Sequence, residues 1–183
     1  MTERELVEAA QRGDAGAFTA LARRHADRVY ALTNRILLDP AAAEDASQQA
    51  FVQAWQGLPR LRDVDRFENW LRRLVVRVCF DQADADRRWR VHIRLVARAD
   101  PQPDATGAIV ARDEMDRALA RLKPAQRAVL TLRYYLDLPL ADVAAVLEIS
   151  EGTVSSRLHY ALDELRSILQ ADGRLDASEG RTA

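Results

Sequence analysis

Residues 99–108 read ADPQPDATGA, and no other stretch restricts the fold of this chain as much. Two prolines, one glycine and no large apolar side chain cannot supply a buried element, so the stretch reads as a linker. On both sides of it apolar residues recur every three or four positions, the period of helices that bury one face. A chain of 183 residues divided there makes two small bodies rather than one large one. With 7 Gly and 6 Pro against abundant Ala and Leu, helices are favoured over a sandwich or barrel. The expected fold class is all-α: two small helical domains joined by a flexible linker. The expected boundaries are 1–98 for the first domain, 99–110 for the linker and 111–170 for the second domain. The polar stretch 171–183, ADGRLDASEGRTA, is expected to be a disordered tail.

Several function classes are excluded by what is missing. A single cysteine, Cys79, allows neither an internal disulfide framework nor a Cys-rich zinc site. It sits in the apolar run LVVRVCF and reads as a small buried thiol, with a redox sensor as the alternative. The charged start MTERELVEAA has no apolar core of a signal peptide, and no run of about eighteen apolar residues exists. No membrane insertion is expected, and the default location is cytoplasmic. His25, His92 and His159 are scattered without metal-ligand spacing, and His25 reads as an exposed surface residue. There is no Gly-rich phosphate loop and no nucleophile motif, so neither an enzyme, a metal nor a cofactor is expected.

The net charge of −1 conceals an uneven distribution. Residues 1–57 carry net −2, residues 58–98 net +5 and residues 99–183 net −4. A local basic stripe is what a polyanion meets, although a solvated helix face with interspersed acids gives the same count.

In the first segment, residues 3–12 form a short amphipathic helix ended by Gly13-Asp14. Phe18, Leu21, Ala22, His25, Val29, Leu32 and Ile36 then mark a second helix, which Asp39-Pro40 stops. In AAAEDASQQAFVQAWQGL, Phe51 and Trp55 stack at i, i+4 as core, while Asp45, Gln48 and Gln49 face elsewhere. After the loop LPRLRDVDRF a long helix runs from about Glu68 to Ala97. Trp70, Leu71, Leu74, Val75 and Val78 form its buried stripe, with Arg72, Arg73 and Arg77 on the opposite side.

In the second segment, Met115, Leu119 and Leu122 line one helix. Pro124 suits the first turn of the next, whose apolar side is Ala128, Val129, Leu132 and Tyr135. LADVAAVL, the three residues EIS, and EGTVSSRLHYALDELRSIL then give a short helix, a tight turn and a longer helix. Ala144 is small where two helices must cross, and Ser150 suits the N-cap of the second. Val154, Leu158, Leu162 and Leu165 continue the apolar stripe. Glu151, Thr153, Ser155, Ser156, Arg157 and His159 are left exposed. Small polar residues and an arginine suit a helix laid in the major groove; an ordinary antiparallel helix pair is the bland alternative.

These residues resemble a known family. LARRHADRVYALTNRILLDPAAAEDASQQAFVQAWQGL looks like the sigma-2 domain of extracytoplasmic-function (ECF) sigma factors, with Ala43-Glu44-Asp45, Gln48, Phe51, Ala54 and Trp55 in the family pattern. PRLRDVDRFENWL resembles the loop before the last sigma-2 helix, and LARLKPAQRAVLTLRY with EGTVSSRLHYALDELR resembles the sigma-4 helix-turn-helix domain. The resemblance implies a four-helix sigma-2 domain, a sigma-4 domain and the function of a sigma factor: binding core RNA polymerase and directing promoter-specific initiation. It implies docking of Asp45, Gln48 and Gln49 on the clamp helices of the polymerase, with the flap as a further contact. It implies that Arg60, Arg62, Asp63, Val64, Phe67, Trp70, Arg73 and Arg77 melt and read the −10 element of promoter DNA. Arg72, Arg87, Arg88 and Arg90 would hold phosphates of the spacer. Glu151, Gly152, Thr153, Ser155, Ser156, Arg157 and His159 would read the −35 element. An anti-sigma factor is the further implied partner. Against these roles, Phe51, Trp55 and Trp70 read as core by spacing, and Asp45 as an ordinary first-turn acid. The chain departs from the family at Gln49, where Glu is frequent; at Arg77, where Asn is common; at Asp84 and Asp86, which precede Arg87-Arg88; and at Ser155, where lysine is frequent. A stand-alone helix-turn-helix regulator is the alternative function.

Overall fold

The computed structural model describes residues 1–97 and 114–179, with side chains over 1–88 and 115–171. The expected linker, 99–110, lies outside the described residues. Every described regular element is helical, as expected, and the contacts divide the chain into two bodies, separated between Pro101 and Gln102.

The first body contains α1 (Glu3–Gln11), α2 (Ala15–Leu37), α3 (Pro40–Gly57) and α4 (Phe67–Ala97), with 3-10 turns at Leu58–Arg60 and Val64–Arg66 between the last two. Each start is written locally. Thr2 and Glu5 form a capping box on α1, the Glu5 amide donating to the Thr2 hydroxyl and the Thr2 amide to the Glu5 carboxylate. Asp14 accepts from the Ala17 amide at 3.0 Å to cap α2, and Asp39 accepts from the Ala42 amide at 3.0 Å to cap α3, with Pro40 in its first turn. Gly13 takes φ +95° in the turn between α1 and α2, where a side chain would be strained.

The α2 helix packs against α1, α3 and α4, and α3 packs against α4. Val7, Leu21, Ile36, Leu58, Phe67, Val75 and Cys79 fill the centre. The α3 face turned inward is made of Ala43, Ala46, Ala50 and Ala54, all buried. The Thr33 hydroxyl, buried on α2, lies 3.1 Å from the Ala43 carbonyl and 2.9 Å from the Ser47 hydroxyl, which ties α2 to α3.

Two side chains in this body clarify the sequence reading. His25 is not a surface residue: it is 3% exposed. It lies on the α2 stripe one turn from Leu21 and Val29, and Glu3 of α1 approaches its Nε2 at 3.1 Å, so the ring is buried with a polar partner. Cys79 is fully buried, and burial pushes its thiol pKa up to about 12. A thiol held protonated is a poor nucleophile. Alkylation by iodoacetamide at pH 8 should be at least about 100-fold slower in the native chain than in urea. Equal rates would restore the redox-sensor reading.

The second body contains α5 (Glu114–Arg121), α6 (Pro124–Leu130), a π-helical turn at Thr131–Tyr135, α7 (Leu140–Leu147) and α8 (Glu151–Glu179). The α8 helix packs against α5, α6 and α7. Ala118, Leu122, Ala128, Val129, Leu132, Val143, Val154 and Ala161 make the core. Arg127 is buried with them, its guanidinium donating to the Leu122 carbonyl at 2.6 Å, and burial lowers its pKa to about 10. It therefore remains charged at neutral pH.

Tyr135 was expected on the apolar side of its helix but is 47% exposed. The wider π turn shifts the angular phase of the residues after Leu130, so a strict α-helical projection misplaces it. The helix α8 continues through residues 171–179, which were expected to be disordered. The stretch is Ala- and Leu-containing, and its one glycine, Gly173, costs a helix only about 1 kcal/mol. Residues 180–183 lie outside the described residues.

Candidate nucleic-acid interface

The outer face of α3 is defined by the alanines on its inner one. Asp45, Gln48 and Gln49 are all exposed there, as expected. Val52 continues the row one turn further and is 49% exposed. It was missed from sequence because a lone valine reads as core; its spacing from Gln48 and Gln49 was the available signal. Trp55, expected to stack on Phe51 in the core, is 37% exposed and packs on Phe18 of α2, with ring centroids 5.0 Å apart. Phe51 is half-buried.

The segment between α3 and α4 presents cations on a short, hydrogen-bonded scaffold. Arg60, Arg62 and Asp63 are exposed and Val64 is half-buried. Asp63 accepts from the Asp65 amide at 3.1 Å and pairs with Arg66 at 3.1 Å, which closes the second 3-10 turn. Trp70 is half-buried and lies directly over Gly57: a Cβ there would stand 3.1 Å from the indole Cζ2. A side chain at position 57 would require the indole to shift by a few tenths of an ångström.

Phe67 was expected among the residues that meet the −10 element. The structure places it in the core instead, 2% exposed, with its ring 5.5 Å from that of His25 and 5.9 Å from that of Trp70. The reason is positional: Phe67 opens α4 and faces α2, so its ring closes the body where the loop ends.

The arginines of α4 divide by environment. Arg72 was expected to hold spacer phosphates. Its guanidinium instead donates to Glu68 at 2.6 Å and Asn69 at 2.7 Å, and Arg28 of α2 reaches the same Glu68 at 3.3 Å. Arg72 thus ties the start of α4 internally. Arg73 is half-buried, whereas Arg77, Arg87 and Arg88 are exposed, with Arg87 3.4 Å from Asp84. The side chain of Arg90 lies outside the described residues.

In the second body α7, a turn with Glu148 at φ 56°, and α8 make the helix-turn-helix. The Ser150 hydroxyl accepts from the Thr153 amide at 3.2 Å, the expected N-cap. Val143 and Ala144 of α7 and Val154, Leu158 and Ala161 of α8 are buried in this body. That fixes the face α8 leaves outward: Glu151, Gly152, Thr153, Ser155, Ser156, Arg157 and His159 are all exposed. The His159 ring stands 3.1 Å from Asp163, which also pairs with Arg166 at 2.9 Å. Tyr160, 68% exposed beside this face, was not anticipated.

Among the described residues no group of three or more His, Cys, Asp or Glu is placed to hold a metal ion, and no helix is long and apolar enough to cross a membrane.

Comparison with known proteins agrees with this division. Residues 21–90 match the family Sigma-70 region 2, and residues 118–167 match Sigma-70, region 4. The chain is 33% identical over 171 residues to the ECF RNA polymerase sigma factor SigL of Mycobacterium tuberculosis, covering 91% of this chain and 97% of SigL. It is 27% identical to the RNA polymerase sigma-H factor of Pseudomonas aeruginosa, over 92% of this chain and 94% of that one. Among solved structures, CnrH in complex with the cytosolic domain of CnrY is similar with a TM-score of 0.66 and 26% identity, covering 93% of this chain and 98% of CnrH. The fold, with its two helical bodies, is thus that of a promoter-recognition factor. The chain belongs to the ECF sigma factors of the sigma-70 family, whose function is promoter-specific transcription initiation with RNA polymerase.

Proposed function

We propose that the two bodies divide promoter recognition as follows. Asp45, Gln48 and Gln49, with Val52, dock α3 on the clamp helices of the polymerase. Arg60, Arg62, Asp63 and Val64, with Trp70, Arg73 and Arg77, capture the opened −10 element. Single-strand capture needs cations for phosphates and a planar surface for bases, and the loop offers exposed arginines next to a partly exposed indole. Arg87 and Arg88 meet spacer phosphates. The outward residues of α8 from Glu151 to His159 read the −35 element in the major groove. The domain assignments are 1–98 for docking and −10 capture and 111–170 for −35 reading. The chain supplies recognition and no reaction chemistry, and it works in the cytoplasm with the polymerase. CnrH was solved with the cytosolic domain of CnrY bound, and a bound protein partner, here an anti-sigma factor, fits the exposed faces described above.

The observation that carries this reading is the charge balance. The +5 of residues 58–98 is offset by −2 before it and −4 after it. Neither body is cationic enough to hold duplex DNA tightly, because affinity depends steeply on how many phosphates a protein neutralises. Mounted on polymerase, the second contact becomes intramolecular and gains an effective concentration in the millimolar range, of order 1 mM. Run-off transcription with core polymerase is expected to require residues 111–170 as well as 1–98, and the free chain is expected to bind promoter duplex poorly in gel shift. Tight, sequence-specific duplex binding by a dimer without polymerase would instead favour a stand-alone regulator.

A further inference from the structure

The helix α1 precedes residues 21–90, which match the sigma-70 region 2 family, and yet it is bonded to the loop that follows α3. Gln11, its last residue, donates its side-chain amide to the Leu58 carbonyl at 3.1 Å and to the Leu61 carbonyl at 2.7 Å. These are the first residue of the first 3-10 turn and the residue that caps it. Arg4, at the other end of α1, makes two bonds to the Asp65 carboxylate, at 3.0 and 3.1 Å, in the second 3-10 turn. Glu3 meets the buried His25, against which Phe67 packs. From first turn to last, α1 therefore bonds the loop directly at both 3-10 turns, and its Glu3 holds His25 of α2, the ring on which Phe67 at the start of α4 packs.

We propose that α1 is a positioning brace for the promoter-reading loop, with Gln11 as the positioning residue that fixes the backbone from which Arg60 and Arg62 project. The inference rests on the −10 role proposed above for that loop. The magnitudes single out Gln11. Arg4 and Asp65 are both more than half exposed, 59% and 65%, and solvent screens such a surface pair so that it holds the loop only weakly. The Gln11 bonds are partly buried and bridge the carbonyls at the two ends of the first 3-10 turn. A short loop with two 3-10 turns has few bonds of its own, so a bridging donor restricts it more than it would restrict a helix. The capture of an unstacked base requires the receiving groups to be placed beforehand; disorder in the loop is a direct cost to the open complex.

The test uses holoenzyme assembled from the full chain and core polymerase on a promoter it drives, read as the half-life of the heparin-resistant open complex. Gln11→Glu keeps the size of the side chain but replaces the donor by a carboxylate facing two carbonyls. It is expected to shorten the half-life about tenfold, the effect of losing two such hydrogen bonds. Arg4→Ala is expected to shorten it about twofold. Gln11→Lys retains a donor and is expected to stay within about twofold of the parent. Affinity for core polymerase should be unchanged in all three. The brace is refuted if Gln11→Glu leaves the half-life unchanged, or if Gln11→Glu and Gln11→Lys shorten it equally and in step with a loss of thermal stability. Arg60→Ala and Arg62→Ala are run in parallel. If they leave the half-life unchanged, the −10 role of the loop has failed; if they shorten it and Gln11→Glu does not, the brace alone has failed.

Discussion

Phe67→Ala is expected to destabilise the first body by about 3–5 kcal/mol, the range for removing a buried phenyl ring. Phe67 is the largest fully buried side chain in the described structure. It stands where α4 begins and where the ring of His25 and the indole of Trp70 converge. Its removal leaves a cavity at the junction of the loop, α2 and α4, and the surrounding helices can close over it only in part. Because small domains are stable by only about 5–15 kcal/mol, such a loss lowers the urea midpoint of the first body markedly. Phe67→Leu separates packing from recognition. It keeps an apolar side chain of nearly the same volume and should return most of the stability together with transcription. If Phe67→Leu unfolds like the parent but no longer holds the open promoter, the ring itself acts on DNA and its placement in the core is not the whole of its role.

Charge reversal at the proposed docking face is expected to give the second large effect. Asp45→Arg should weaken association with core polymerase by at least about 100-fold, equivalent to about 2.7 kcal/mol, within the range measured for close charge pairs across interfaces. Asp45 is exposed, on the side of α3 opposite Ala43, Ala46, Ala50 and Ala54. Reversing it touches no packed atom, so the thermal transition should stay within about 2 °C of the parent, as surface substitutions do. Loss of polymerase binding with intact folding is what a docking residue produces. Retained binding would move the polymerase contact off this face.

Much of the fold was legible because its signals are local. Proline, Asp and Ser at helix starts, and the three- and four-residue recurrence of apolar side chains, located α2, α3 and α7 within a residue or two, together with the start of α8. The outward face of α8 followed from the same periodicity, since fixing Val154 and Leu158 inward leaves Ser155, Ser156, Arg157 and His159 outward. What escaped were contacts set by another element. His25 looks like a surface histidine until α1 brings Glu3 over it. Phe67 looks available until α2 covers it; Arg72 is the exception, because its partner Glu68 stands one turn earlier on the same helix and the i, i+4 spacing is in the sequence. The i, i+4 spacing pairs Trp55 with Phe51, whereas its partner is Phe18, 37 positions earlier in the chain. The tilt of Tyr135 out of its stripe depends on a π turn that no residue type announces. Gln11 gave no signal at all, because a single glutamine ending a short helix is compatible with solvent.

The alanine face of α3 has a bearing on how this protein can change over time. Ala43, Ala46, Ala50 and Ala54 are completely or almost completely buried beneath the helix, so an added methylene overpacks that face, and a deletion to glycine weakens the helix itself. Variation is thereby confined to the solvent side. With the docking role proposed for Asp45, Gln48, Gln49 and Val52, the strength of attachment to the transcription machinery can be retuned residue by residue, while the seat beneath them stays fixed and hands the same orientation to every successor.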